Sequence, residues 1–61
     1  MTKQEATIKA IELAGGALAV SLKMGISFQA VYKWRRTCAP AGRALGLSKL
    51  THNKIKVEEL L

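Results

Sequence analysis

The chain has 61 residues, 49% of them apolar, and a formal net charge of +6. Its length predicts a single domain, residues 1–61, near the lower size limit for a core that folds without disulfides or a structural metal. Its apolar content excludes a disordered tail. The lone Cys38 excludes an intramolecular disulfide framework and indicates a reducing compartment. No apolar run approaches the ~18 residues of a membrane helix, and MTKQEATIKA lacks the apolar core of a signal peptide. We therefore expect a cytoplasmic protein.

The charge is unevenly placed along the chain. Between Leu13 and Val57 there is no acidic residue, whereas the same stretch holds eight lysines or arginines. The four glutamates lie at the two ends: Glu5, Glu12, Glu58 and Glu59. Such a basic block attracts polyanions, either nucleic acid or an anionic membrane surface. The alternative is a cationic surface that serves only solubility.

Residues 3–14 have the spacing of an amphipathic helix. The positions expected to face inward are Ile8, Ile11 and Leu13. Thr2 and Glu5 stand three apart, as in a capping box. The pair Gly15 and Gly16 is expected to end the helix.

Two further short helices are predicted over residues 17–24 and 28–37. Gly25 occupies the position where a left-handed residue is needed after the second helix. Ser27 is a favourable N-cap for the third. Only three residues separate the two helices, so we expect them to pack at a steep angle.

Pro40 suits the first turn of a fourth helix. The apolar positions of this helix are Leu45, Leu47 and Leu50, and Asn53 could end it. Gly42 and Gly46 weaken the prediction of a helix here. The tail IKVEELL fits either one more helical turn or a short strand. The predicted fold class is all-α, with four or five short helices.

The segment ALAVSLKMGISFQAVYKWRR, residues 17–36, fits the twenty-residue window of a helix-turn-helix. The apolar positions that should be buried are Val20, Met24, Ile26, Val31 and Trp34. Ser21 stands where a small residue, usually alanine, lets the helices approach, so its hydroxyl needs a backbone acceptor. The alternative is a generic helical hairpin. The glycine, the turn length and the basic charge favour the helix-turn-helix.

The chain resembles the phage Cro repressors and the related YdaS-type antitoxin regulators. The resemblance rests on four features in chain order: IKAIELAGG, the helix-turn-helix window, Pro40 and LSKLTHNKIKVEEL. In those proteins a helix ending in Gly-Gly precedes the motif, a proline opens the next helix and a V-x-x-E-L tail follows. The similarity covers residues 8–60. It implies a small lambda-repressor-like helical domain that binds DNA.

A recognition helix in the major groove presents its N-terminal residues and one face to base edges. The outward residues expected to read bases are Phe28, Gln29, Tyr32, Lys33 and Arg36. Gln29 is the strongest candidate, because a carboxamide can bond bidentately to adenine. Phe28 and Tyr32 either contact a thymine methyl, with the Tyr32 hydroxyl on a phosphate, or cover the edge of the core.

A second group is expected to contact the DNA backbone. It comprises Ala17, Ser27, Arg35, Arg43, Lys49 and Lys54. Arg36 is a candidate for a backbone contact as well as for base reading. The backbone amides near Ala17 begin a helix and suit a phosphate, and Ser27 could donate its hydroxyl. For each cation the alternative is simple solvation.

Leu18 and Leu22 depart from the resemblance, since related proteins usually carry polar residues at the first, second and sixth window positions. Ala17 at the first position removes a common phosphate contact. The two leucines, four residues apart, share one helical face. We expect them to pack under another helix; the alternative is an apolar surface patch that a partner covers.

No residue set suggests catalysis or cofactor binding. Cys38 has no activating histidine or carboxylate nearby in sequence, and His52 has no second ligand at metal spacing. Trp34 is expected in the core rather than in a stacking platform for single strands. We therefore expect no enzyme, no metal, no cofactor and no small-molecule substrate.

Taken with the resemblance, these features predict a transcriptional repressor of the Cro type that binds double-stranded operator DNA. Because one such domain makes few base contacts, a weak homodimer completed on DNA is expected, in the cytoplasm of a bacterial host and associated with the nucleoid. The alternative is a YdaS-like antitoxin or protein-interaction module with secondary DNA binding. A cationic membrane-surface peptide is disfavoured, because Gly25 and Pro40 divide the chain into short packed helices.

Overall fold

The computed structural model describes all residues, Met1–Leu61, and contains helices joined by short turns, without strands. The helices are α1 Lys3–Leu13, α2 Ala17–Met24, α3 Phe28–Thr37, α4 Ala41–Leu50 and α5 Val57–Leu60. The all-α prediction is confirmed, and the tail forms a helical turn rather than a strand. Pro40 is the N-cap of α4, one residue before its first turn.

The predicted capping box fixes the start of α1. The Thr2 hydroxyl accepts the Glu5 backbone N–H at 3.1 Å, and the Glu5 carboxylate accepts the Thr2 backbone N–H at 2.9 Å. These hydrogen bonds from Thr2 hold the pKa of Glu5 below its usual value. At the other end, Gly15 and Gly16 adopt φ angles of +107° and +100°, so the chain turns where a side chain would be strained.

The core is formed by α1, α3 and α4, closed by single residues from the remaining elements. Its buried apolar residues are Ala6, Ala10, Ile11, Ala14, Val20, Val31, Trp34, Ala39, Ala44, Leu47, Ile55 and Leu60. Many are alanines, which lets the short helices approach closely. All five positions predicted to anchor the helix-turn-helix join this core, with Met24 and Ile26 partly buried against it.

Two leucines predicted to face inward are exposed, and those predictions are wrong. Leu13 lies in the last turn of α1, about 90° around the helix from the middle of its buried face. In α4 the buried stripe runs through Ala44, Leu47 and Ser48, which are three and four residues apart. Leu45 lies about 100° away on the helix and is exposed.

The turn from α4 to α5 is held by two buried hydroxyls. Ser48 donates to the Ile55 carbonyl at 2.7 Å, and Thr51 accepts the Ile55 N–H at 3.2 Å. His52 and Asn53 between them are left-handed, with φ of +56° and +62°. The Asn53 N–H donates to the Ser48 carbonyl at 3.1 Å, so Asn53 closes α4 as predicted.

Candidate nucleic-acid interface

The turn between α2 and α3 has the predicted geometry. Gly25 adopts φ +67° and ψ +34°, and its N–H donates to the Ser21 carbonyl. The Ile26 N–H donates to the same carbonyl at 3.0 Å. The Ser27 hydroxyl accepts the Ala30 N–H at 3.2 Å and caps α3. The first turn of α3 is therefore fixed relative to α2.

The buried Ser21 allows the close approach of α2. Its hydroxyl donates to the Leu18 carbonyl at 2.7 Å, which supplies the backbone acceptor that the sequence required. Because Ser21 is buried and α2 packs most extensively against α3, the two helices form one rigid unit that presents the outer face of α3.

Every residue predicted to read bases lies on the exposed face of α3. Val31 and Trp34 lie on its opposite, buried face. Three of the side chains on this exposed face are cationic and none is acidic. In chain order, the residues of the face are Phe28, Gln29, Tyr32, Lys33, Arg35 and Arg36.

Phe28, Tyr32 and Arg35 form a contiguous stripe along one edge of this face. The Phe28 and Tyr32 rings stack, with centroids 5.8 Å apart and planes 24° from parallel. The Arg35 guanidinium lies 5.9 Å from the centroid of the Tyr32 ring. Phe28 and Tyr32 remain 46% and 52% exposed, so about half of each ring faces outward. By helical spacing, Gln29 and Lys33 occupy the other edge.

Gln4 of α1 reaches the C-terminal end of α3, a contact that the sequence did not suggest. Its Nε2 donates to the carbonyl oxygens of Arg35 and Arg36, both at 3.2 Å. The partners are 31 and 32 residues apart, so no local pattern could reveal the contact. Beside it, a cleft of about 250 Å³ is lined by Ile8, Tyr32, Arg35 and Arg36; we call this the α1–α3 cleft.

The predicted backbone-contacting residues fall into two groups. In the first group, Ser27 is the N-cap of α3 and Arg35 lies on that helix. Ala17 is the first residue of α2, where it is half-buried and packs against the core. Arg43 and Lys49 lie on α4 and Lys54 follows it, all exposed. The structure therefore assembles the first group around the helix-turn-helix and leaves the second on a different element.

Leu18 and Leu22 are 61% and 74% exposed, so the expectation that they pack under another helix is wrong. The inner face of α2 is already filled by Val20, Ser21 and the half-buried Met24. Leu18 and Leu22 lie on the opposite side of the helix. Together they form an apolar patch on the surface, which was the alternative prediction from the sequence. We call it the α2 patch.

The remaining candidates for chemistry are dispersed. Cys38 is half-buried, and His52 is exposed in the turn after α4. No three or more His, Cys, Asp or Glu side chains are grouped so that they could hold a metal ion. None of the helices is both long and apolar enough to cross a membrane.

The fold and this surface define a small all-α domain built around a helix-turn-helix-like unit. A model of the family described as bacterial toxin YdaS matches residues 7–61, and the chain therefore belongs to that family. The YdaS part of the resemblance is confirmed at the level of the family, whose description names a toxin and not the expected antitoxin regulator, whereas the Cro part stays a prediction. No curated protein and no solved structure matches the chain.

Proposed function

We propose that the protein is a sequence-specific double-stranded DNA-binding regulator, acting as a Cro-type repressor that occupies an operator. The observation that supports this most is the outer face of α3. A capped helix projects Gln29, Lys33 and the stacked Phe28 and Tyr32 from a glycine turn, and such a helix fits the major groove.

Charge supports the same proposal. Between Leu13 and Val57 the sequence contains no acidic residue, so α3 and α4 themselves carry lysines and arginines but no carboxylate. Each lysine or arginine that neutralises a phosphate releases counterions, which makes the affinity fall steeply with salt. Arg43, Lys49 and Lys54 on and after α4 are proposed as contacts of this kind.

A homodimer is part of the proposal. One α3 offers few side chains to base edges, and useful specificity normally needs two copies on half-sites about one helical turn apart. Two chains of charge +6 repel each other in solution. Because DNA neutralises that charge, we expect a weak dimer that is completed on the operator.

The test is selection of bound sites from random duplex DNA, followed by affinity measurements at several salt concentrations. The expected result is an enriched site with two-fold symmetry and an affinity that falls with salt. If no sequence is enriched and specific and random duplexes bind equally, the repressor proposal is wrong.

The α2 patch supports a second candidate, a protein-interaction module in which DNA binding is secondary. Two leucines exposed by 61% and 74% and one turn apart are costly to leave in water. The family description as a bacterial toxin also fits a protein that acts through a partner. A stable complex with the product of a neighbouring gene, lost in Leu22→Lys while DNA affinity is kept, would favour this candidate.

A further inference from the structure

We propose that the α1–α3 cleft binds a phosphate of the DNA backbone, and that Gln4 is a positioning residue that prepares it. The inference rests on the proposed DNA binding and deepens it. It also decides between the two roles left open for Arg36, which becomes a phosphate contact rather than a base reader.

The side chains of the cleft suit a phosphate diester. The cleft is lined by Arg35 and Arg36, which carry guanidinium groups, by Tyr32, which carries a hydroxyl, and by the apolar Ile8. No acid lines the cleft. Guanidinium groups bind phosphate oxygens through paired, charge-assisted hydrogen bonds, and about 250 Å³ is ample for one phosphate group.

One of the arginines is already held in place. The Arg35 guanidinium lies 5.9 Å from the centroid of the Tyr32 ring, and Tyr32 is itself stacked on Phe28. A side chain restrained before binding loses less conformational entropy when it engages its ligand. The stripe along α3 therefore serves the cleft as well as the groove.

The location of the cleft raises an electrostatic problem, which Gln4 reduces. The cleft lies near the C-terminal end of α3, where unpaired carbonyl groups carry partial negative charge and repel anions. The Gln4 amide donates to the carbonyls of Arg35 and Arg36 at 3.2 Å. The Cys38 N–H donates to the Trp34 carbonyl at 2.8 Å. With three of its last four carbonyls paired, the end of α3 repels a phosphate less.

The first experiment compares Arg36→Ala and Arg35→Ala with Lys56→Ala, a control that removes one exposed cation outside the cleft. Affinity is measured against salt on the selected duplex and on a random one. Each cleft variant should flatten the slope of log affinity against log salt by about 0.9, equally on both duplexes. A loss of preference at one base pair in Arg36→Ala, or an unchanged slope in both variants, overturns the proposal.

The second experiment tests Gln4 through Gln4→Glu, which keeps the size but cannot donate and adds a negative charge. Binding to both duplexes should weaken by the same factor and by more than in Gln4→Ala. Thermal unfolding of the two variants separates this effect from lost stability. Equal DNA affinities for Gln4→Glu and Gln4→Ala would overturn the role of Gln4.

A titration of the unmodified protein with inorganic phosphate separates the two possible sources of the ligand. Phosphate should shift the NMR signals of Ile8, Tyr32 and Arg36 more than that of Lys56, and a duplex should compete with it. If phosphate binds there while Arg36→Ala leaves the salt slope unchanged, the cleft binds a free phosphate compound and the DNA assignment is overturned. Binding of phosphate with no DNA affinity at all overturns the proposed function instead.

Discussion

The Phe28 and Tyr32 rings stack one turn apart on the exposed face of α3, with centroids 5.8 Å apart. Stacking covers one side of each ring, and about half of each ring remains exposed to solvent. The stack explains how two aromatic side chains persist on a surface helix. It also fixes the Tyr32 hydroxyl relative to the helix axis.

Tyr32→Phe is expected to weaken DNA binding by about 1.5–3 kcal/mol, because the hydroxyl can no longer donate to a charged phosphate. The stack and the fold should survive, since only one exposed oxygen is removed. Fluorescence anisotropy with a labelled duplex measures the affinity, and thermal unfolding checks the stability. Equal affinity of Tyr32→Phe and the unmodified protein would assign Tyr32 to apolar contact alone.

Gln29→Ala is expected to relax the preference at one base pair by ~1–3 kcal/mol, because a bidentate contact to a base edge is lost. Its control is Arg43→Ala, which should weaken all sequences alike and flatten the salt slope. Both are read from competition between duplexes that differ at single positions. If Gln29→Ala lowers every affinity by one common factor, Gln29 does not read a base.

Much of the helix-turn-helix could be predicted because its determinants are local. Gly25 supplies a left-handed residue and Ser27 a cap, and each signal acts within four residues along the chain. The capping box of Thr2 and Glu5 is local in the same sense. The boundaries of α2 and α3 therefore follow from the sequence.

The features that could not be predicted from the sequence depend on which side of each helix packs against the core. Leu18, Leu22 and Leu45 are apolar but exposed, because other residues fill the inner faces of α2 and α4. Those residues are Val20, Ser21 and Met24 in α2, and Ala44, Leu47 and Ser48 in α4. Hydrophobicity alone does not show this choice, since a small residue can be buried as readily as a leucine. The contact of Gln4 with α3 joins residues 31 and 32 positions apart and leaves no periodic trace.

Gly25→Ala and Gly42→Ala form a matched pair. Neither added methyl group would meet an atom within 4 Å, but only Gly25 has a positive φ, +67°. Gly25→Ala should cost ~1–2 kcal/mol in left-handed strain, whereas Gly42→Ala inside α4 should stabilise by about 0.5–1 kcal/mol. Urea unfolding measures both, and destabilisation of similar size at the two sites would contradict the assignment.

Thr51→Val should destabilise the fold by about 1–3 kcal/mol. The change keeps the shape but removes the hydroxyl that accepts the buried Ile55 N–H at 3.2 Å. Thr37→Val is the control, because the exposed Thr37 hydroxyl only donates to the Lys33 carbonyl, and its effect should stay within about 0.5 kcal/mol. Similar unfolding midpoints in denaturant for the two variants would count against the role of Thr51.

Glu5→Ala should be less stable than the unmodified protein at neutral pH, and the difference should shrink in acid. The hydrogen bonds from Thr2 lower the pKa of Glu5 in the folded state. Its contribution is therefore present above the unfolded pKa, about 4.3, and is lost as the pH falls through the lowered folded value. Unfolding at pH 7 and pH 3 measures this, with Glu12→Ala as control. A difference that does not depend on pH would contradict it.

The position of Leu60 constrains when this protein can fold. Leu60 is fully buried and joins the same core cluster as Ala6, Ala10 and Ile11 near the opposite end of the chain. On a ribosome, Leu60 is still in the exit tunnel when the earlier helices emerge. The apolar faces of those helices therefore stay incompletely covered until Leu60 has emerged, and complete folding is expected only from that point on.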